Sequence, residues 1–209
     1  ATRTAPLPDE ASAVPALFAG VVWDSLLDTS LRTIIERQAL TAFLQRQRWF
    51  GGKARQIKSA RFIDWATLRR GATPAFLTVV EVEYREGPRE RYILPLAMAG
   101  GTEARELQRQ HPFAVLAEIS GARKGVLFDG IFDDGVCAQL VRGIQANETL
   151  SLRRGRLEGR SEGLPAERVT ADALGPITRT SPDQSNTSVI FGRRLLLKLF
   201  RRVEGGLNP

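Results

Sequence analysis

The stretch AFLTVVEVEYREGPRERYILPLA, residues 75–97, constrains this chain more than any other. Phe76, Thr78, Val80, Val82 and Tyr84 recur at every second position. Successive side chains of a strand point to opposite faces, so this spacing gathers five residues on one side of an extended segment. The polar turn EGPRE leads into a second run with Tyr92, Leu94 and Leu96 on one side, which predicts an antiparallel hairpin.

Ahead of the hairpin the period changes. Leu31, Ile34, Ile35, Phe43 and Leu44 follow helical spacing and Ser30 is a suitable N-cap, so an amphipathic helix is expected over about 30–47. It stops at RWFGG, where Trp49 and Phe50 are expected to dock on the sheet and Gly51 and Gly52 to permit a left-handed turn. IKSARFID, from Ile57 to Asp64, reads as a short strand. Beyond a glycine turn at Gly100 and Gly101, GVLFDG reads as another strand, and Ile131, Phe132, Val136, Leu140 and Ile144 keep helical spacing despite Gly135.

Residues from Asn147 to about Asp172 are rich in Arg, Gly, Ser and Glu, which suggests short edge strands and exposed turns, with an exposed hairpin at 153–160. The polar, proline-containing residues 1–13 read as a linker or disordered end. The expected class is α+β: helices and a curved antiparallel sheet over 14–100, a second part over 101–209, and a boundary or hinge near 95–105.

Composition removes several functions. A chain of 209 residues, 43% apolar and 25% charged, has the make-up of a folded, soluble protein. Thirty Lys and Arg against 23 Asp and Glu give +7, which favours polyanions, phosphorylated ligands or an acidic neighbour. The arginines come in scattered pairs without interleaved aromatics, so no nucleic-acid partner is expected. One cysteine and one histidine make neither an internal disulfide nor a Cys/His metal site, and a reducing cytoplasm is expected. Cys137 reads as a small buried hydrophobe and His111, before Pro112, as a capping or surface residue. FDDG, residues 132–135, lacks further oxygen ligands and reads as a turn or helix start rather than a metal site. VPALFAGVVW, the longest apolar run, is far short of the roughly 20 residues a bilayer requires, and no membrane partner is expected.

The last part reads as a strand through ITRT, a loop SPDQSNTS, a strand SVIFG, a tight turn at Gly192, Arg193 and Arg194, and a strand LLLKLF. Small hydroxyl and amide side chains between two strands let backbone N–H groups face an anion, with Ser185, Asn186, Thr187 and Ser188 as candidates. Lys198, one strand further on, is placed as a strand lysine that holds phosphates. A polar hairpin loop beside a solvated edge lysine has the same letters, and both readings stand at this level.

The string QSNTSVIFGRRLLLKLFRRVEGGLNP resembles the nucleotide-site segment of bacterial maltokinases, which also occur fused to trehalose synthase. RQRWFGGKAR, residues 46–55, resembles the same family's N-terminal cap signature, and YILPLA and DGIFDDGVCAQLVRGI fall where similar segments are expected. The resemblance covers about residues 14–209. It implies a maltokinase N-terminal cap over 14–100 and, over 101–209, an intermediate part and a protein-kinase-like (aminoglycoside-phosphotransferase-like) N-lobe. The implied reaction takes maltose and ATP with Mg²⁺ to maltose 1-phosphate and ADP. Gln184, Ser185, Asn186, Thr187 and Ser188 would cover the phosphates and Lys198 would neutralise their charge. No HxD catalytic loop or DFG-like acid occurs in the sequence, so the chain is expected to be the part before a helical C-lobe that carries the catalytic groups and the maltose site, and to be inactive alone. A trehalose synthase domain or subunit is an implied partner. The rival readings are a non-catalytic regulatory or scaffolding module and, more weakly, an anion or nucleic-acid binder driven by charge.

Overall fold

The computed structural model describes residues 14–18, 22–161, 175–180 and 186–206. The expected linker at 1–13 lies outside them. The principal sheet is seven-stranded, with β1 (Ala16–Phe18), β5 (Val115–Ser120), β6 (Gly125–Asp129), β4 (Glu90–Gly100), β3 (Ala75–Tyr84) and β2 (Ile57–Arg69) side by side, and β12 (Arg202–Val203) pairing with β4. All ladders are antiparallel except that between β1 and β5.

The hairpin forms as its alternation requires. Phe76 lies opposite Leu96, Thr78 opposite Leu94 and Val80 opposite Tyr92. All six are buried, and the Thr78 hydroxyl donates to the Leu94 carbonyl at 2.6 Å, so its burial leaves no unmet donor. β2 runs on to Arg69, past the expected end at Asp64. Three register shifts along β2 explain the difference, because each bulge resets which face a side chain takes and breaks the period-two pattern. At one shift the freed N–H of Phe62 is taken by the Glu36 carboxylate at 2.9 Å.

The helical layer over this face is α1 (Ser30–Ile35), a π-helical turn (Glu36–Leu40) and α2 (Thr41–Arg46). Its N-cap is Thr29 rather than Ser30: the Thr29 hydroxyl accepts from the Leu31 N–H at 3.3 Å. Ile35, Leu40, Phe43, Leu44, Trp49 and Phe50 pack on Phe62, Val80, Val82, Tyr84, Tyr92 and Leu94 in one cluster. The layer stops at Gln47 in extended backbone, and neither Gly51 nor Gly52 has the positive φ expected of a left-handed turn. Space explains Gly52 instead, since a Cβ there would sit 2.1 Å from the Tyr84 hydroxyl and 2.7 Å from the Phe50 ring.

The opposite face is covered by α3 (Gly101–Gln110) and α4 (Asp134–Gln145), where Ala104, Leu107 and Val136 meet Ala97, Ala99, Val126 and Phe128. The sheet is continuous through the Gly100–Gly101 turn, because β6 folds back on β4 with Gly125 opposite Gly100. β5 was not expected: its VLAEIS alternation is short and follows a 3₁₀ turn at Pro112–Ala114. β7 (Thr149–Ser151) and β8 (Arg156–Glu158) make the exposed hairpin that the arginine-rich stretch suggested.

A second, three-stranded sheet is ordered β11 (Leu195–Phe200), β10 (Asn186–Phe191), β9 (Ile177–Arg179). It joins the rest through a third cluster in which Val189 and Phe191 pack on Ile131, Cys137 and Val141. Full burial of each apolar side chain is worth about 1.5–3 kcal/mol, enough to hold this sheet on α4. Among the described residues no helix is long and apolar enough to cross a membrane, and no group of three or more His, Cys, Asp or Glu is placed to hold a metal ion.

Candidate functional site

β10 and β11 form a hairpin around Gly192, whose φ of +56° suits a residue without a Cβ. The ladder sets Thr187 opposite Leu199, Ser188 opposite Lys198 and Asn186 opposite Phe200. Opposed residues share a face, so the register sorts the candidates. Thr187, Val189 and Phe191 face the core with Leu195, Leu197 and Leu199 packed beside them. Asn186, Ser188 and Ile190 share the other face with Leu196, Lys198 and Phe200. That face is open: Leu196 is 59% and Phe200 49% exposed, and the Lys198 ammonium lies 5.4 Å from the Phe200 ring centroid.

Gln184 and Ser185 lie outside the described residues. Asn186, Thr187 and Ser188 were expected in a loop but are the first three residues of β10. The cross-strand pairs to Phe200, Leu199 and Lys198 extend the strand over them, and Thr187, β-branched, suits it. Asn186 and Ser188 are therefore brought to the face of Lys198. Thr187 is 4% exposed and turned away from it.

What Thr187 meets was not anticipated. Its hydroxyl accepts from Arg201 Nε at 3.2 Å. The Arg201 guanidinium also makes a two-pronged ion pair with Asp129, Nη2 to Oδ2 at 2.6 Å and Nη1 to Oδ1 at 3.2 Å, with both side chains 1% exposed. Trp49 closes over it, with its ring centroid 4.6 Å from the guanidinium carbon. The Arg201 carbonyl accepts from Ile93 N–H at 2.7 Å. One residue thus ties the end of β11 to β4, β6 and the RWFGG segment. The sequence held a faint signal: Leu195, Leu197, Leu199 and Arg201 are in phase, so a strand carried one step further turns Arg201 inward, against the surface reading an Arg-Arg pair invites.

Its neighbour Arg202 joins a second polar knot. Glu90 accepts from the hydroxyls of Tyr84 at 2.5 Å and Tyr92 at 2.6 Å, and pairs with Arg55 at 2.9 Å and Arg202 at 3.3 Å. Burial pushes the Glu90 carboxyl up, but the two tyrosine hydrogen bonds and the arginine charges outweigh it and hold it below the usual range. Burial, with the Glu90 hydrogen bond, pushes Tyr84 up to about 12. Tyr92 packs between Trp49 and Phe50 at centroid distances of 6.0 and 5.1 Å, which places the RWFGG aromatics in the core as expected.

The remaining residues singled out by sequence are structural. Asp133 caps α4, accepting from Val136 N–H at 3.0 Å, and forms an ion pair with Arg69. Asp134 pairs with Arg179 at 2.6 Å. Cys137 is fully buried and burial pushes its thiol up to about 12. His111 ends α3 with its ring 4.8 Å from Phe132, and burial, then the Arg179 charge, lowers its pKa.

Residues 43–133 match the family model of the maltokinase N-terminal cap domain. The match runs from α2 through the hairpin, α3, β5 and β6 to the cap of α4, and so contains RWFGGKAR, Glu90 and Asp129. The end of the helical layer, the central hairpin of the sheet and the aromatic-glycine stop fall inside the matched residues, so this part of the chain is similar to a maltokinase N-terminal cap domain.

Proposed function

We propose that the chain supplies both the cap and the nucleotide-binding N-lobe of an ATP-dependent maltokinase, an aminoglycoside-phosphotransferase-like enzyme that converts maltose to maltose 1-phosphate. The observation that carries this is the register Ser188–Lys198 in a three-stranded antiparallel sheet, which sets a hydroxyl and an amine side by side on an open face.

The residues present fit the phosphates and base of a nucleotide; those described include no carboxylate to hold its Mg²⁺. Lys198 offers a cation to α/β-phosphate oxygens, Ser188 and Asn186 offer short hydrogen-bonding groups, and exposed Leu196 and Phe200 offer apolar surface to a base. Gln184 and Ser185 complete the segment assigned to the phosphates. ATP supplies the transferable phosphoryl group and Mg²⁺ screens its charge. The chain's part is to hold and orient: Lys198 offsets negative charge, and the β10–β11 ladder keeps its stem in place. We assign the acceptor-activating aspartate, the metal ligands and the maltose site to a helical lobe outside these 209 residues, and a trehalose synthase domain as a partner of the whole protein.

In the full-length enzyme Lys198→Ala is expected to lower kcat/KM for ATP by about 10²–10³-fold, the scale of losing one transition-state charge contact. Its exposed position leaves the fold intact, checked by an unchanged circular dichroism spectrum and Tm. Wild-type kinetics would remove Lys198 from the site. Phosphorylation of maltose by the 209-residue chain alone would overturn the assignment of the catalytic groups to another lobe.

A further inference from the structure

On the core side of β10, away from Lys198, a cleft of about 480 Å³ opens between the end of α2 and the second sheet, bordered by Arg46, Arg48, Trp49, His111, Phe132 and Arg179. Four guanidinium groups line it, and Arg201 is matched by Asp129 and Arg179 by Asp134. Arg46 and Arg48 form no ion pair among the described residues. Arg46 is half-buried and its Nη2 donates to the Val115 carbonyl at 3.3 Å, a neutral partner. Burial depresses its pKa, which marks a cation desolvated without a carboxylate beside it.

The other wall is aromatic. Phe113 and Phe132 meet edge to face at 5.3 Å and His111 leans on Phe132 at 4.8 Å. Phe113 is 45% exposed, so part of this wall is free to receive a ring.

We propose that this cleft binds a small phosphorylated ring compound, a phosphate monoester dianion whose charge is met by Arg46 and Arg48 and whose ring lies on Phe113 and Phe132. A purely apolar ligand would bury the half-buried Arg46 cation further without a counter-charge, which is costly. A bare ion would leave most of the volume empty, and the cleft is in the size range of small-molecule pockets. Guanidinium forks match phosphate oxygens in geometry as well as charge. The proposal does not depend on the kinase assignment, since Lys198 lies on the other face of the sheet.

His111, the chain's one histidine, borders the cleft and serves as reporter. The 209-residue chain is titrated with glucose 6-phosphate while the His111 ring resonances are followed by NMR, with glucose, inorganic phosphate and ATP run separately. Glucose 6-phosphate is expected to give a saturable shift with Kd of about 1 mM or tighter, inorganic phosphate a weaker one and glucose none. Arg48→Ala, at an exposed position, and Arg46→Gln are each expected to weaken binding at least about tenfold, and Lys198→Ala to leave it unchanged. If Arg46→Gln fails to fold, Arg48→Ala decides alone. Absence of saturation with every phosphorylated probe, equal response to glucose, or loss of binding in Lys198→Ala would overturn the proposal. The last outcome would move the anion to the nucleotide face, whereas normal binding here with wild-type kinetics in Lys198→Ala enzyme would sink the kinase site alone.

Discussion

Replacing Asp129 by alanine tests how the second sheet is held to the cap. The Asp129 carboxylate accepts both Nη groups of Arg201, at 2.6 and 3.2 Å, and the Ile131 N–H at 3.2 Å. Removal of one partner from a buried pair costs about 3–5 kcal/mol, because the other charge stays in low dielectric without its counter-ion. Arg201 keeps the Thr187 hydroxyl and the Trp49 ring, so the lower end, about 3 kcal/mol, applies. Against a total stability of about 5–15 kcal/mol this is a large fraction. The assay is urea unfolding followed by tryptophan fluorescence, for which Trp49 over the guanidinium is a local probe. A double variant, Asp129→Leu with Arg201→Met, removes both charges while keeping apolar bulk, and is expected to recover most of the loss. The reasoning fails if Asp129→Ala changes stability by less than about 1 kcal/mol, or if the double variant is as unstable as the two single losses added.

Three further outcomes follow from the same contacts. Gly52→Ala is expected to destabilise by about 1–3 kcal/mol or more, read as a lower Tm, since the Tyr84 hydroxyl 2.1 Å from the new Cβ is anchored to Glu90; an unchanged Tm would show that the ring moves freely. Cys137, buried and with its thiol pushed up to about 12, is expected to resist a thiol reagent such as DTNB at pH 8 and to react once urea unfolds the chain; fast native reaction would contradict its placement. Glu90 is held below its unfolded pKa, so the unfolded state binds the extra proton and the contribution is full above the unfolded value. It is lost as pH falls through the folded value. The stability gap between wild type and Glu90→Gln should therefore shrink on acidification, and a gap independent of pH would refute the ionised knot.

The hairpin and the C-terminal strand pair were legible because each alternates with one period and buries one face, and the helical layer because Ile35, Phe43 and Leu44 stay buried across its π-helical turn even though Ile34 turns outward. Legibility failed where a local device reset the phase. Bulges hid the second half of β2, and a short strand after the Pro112 turn hid β5. The glycines of RWFGG illustrate a different limit: the letters suggested backbone freedom, whereas Gly52 is required by the approach of Tyr84, a residue 32 positions away whose proximity no local rule encodes. For the candidate site, composition identified the polar segment but not its state, since Asn186, Thr187 and Ser188 fit a loop and a strand alike until pairing with β11 decides.

That pairing also gives the cap a physical connection to Lys198. Only Leu199 and Phe200 separate Lys198 from Arg201, whose carbonyl already bonds to Ile93 in β4; Arg202 then enters the ladder opposite Tyr92. Over so short a distance an extended chain has little slack, about 3.3 Å per residue, so β11 cannot shift along its length without disturbing β4. The position of the Lys198 stem is therefore set from two sides, by the β10 ladder and by the Arg201 anchor in the cap. Loosening the anchor and removing the amine are separable perturbations: Asp129→Ala should lower stability first and disturb Lys198 only through the strand, whereas Lys198→Ala should leave stability untouched.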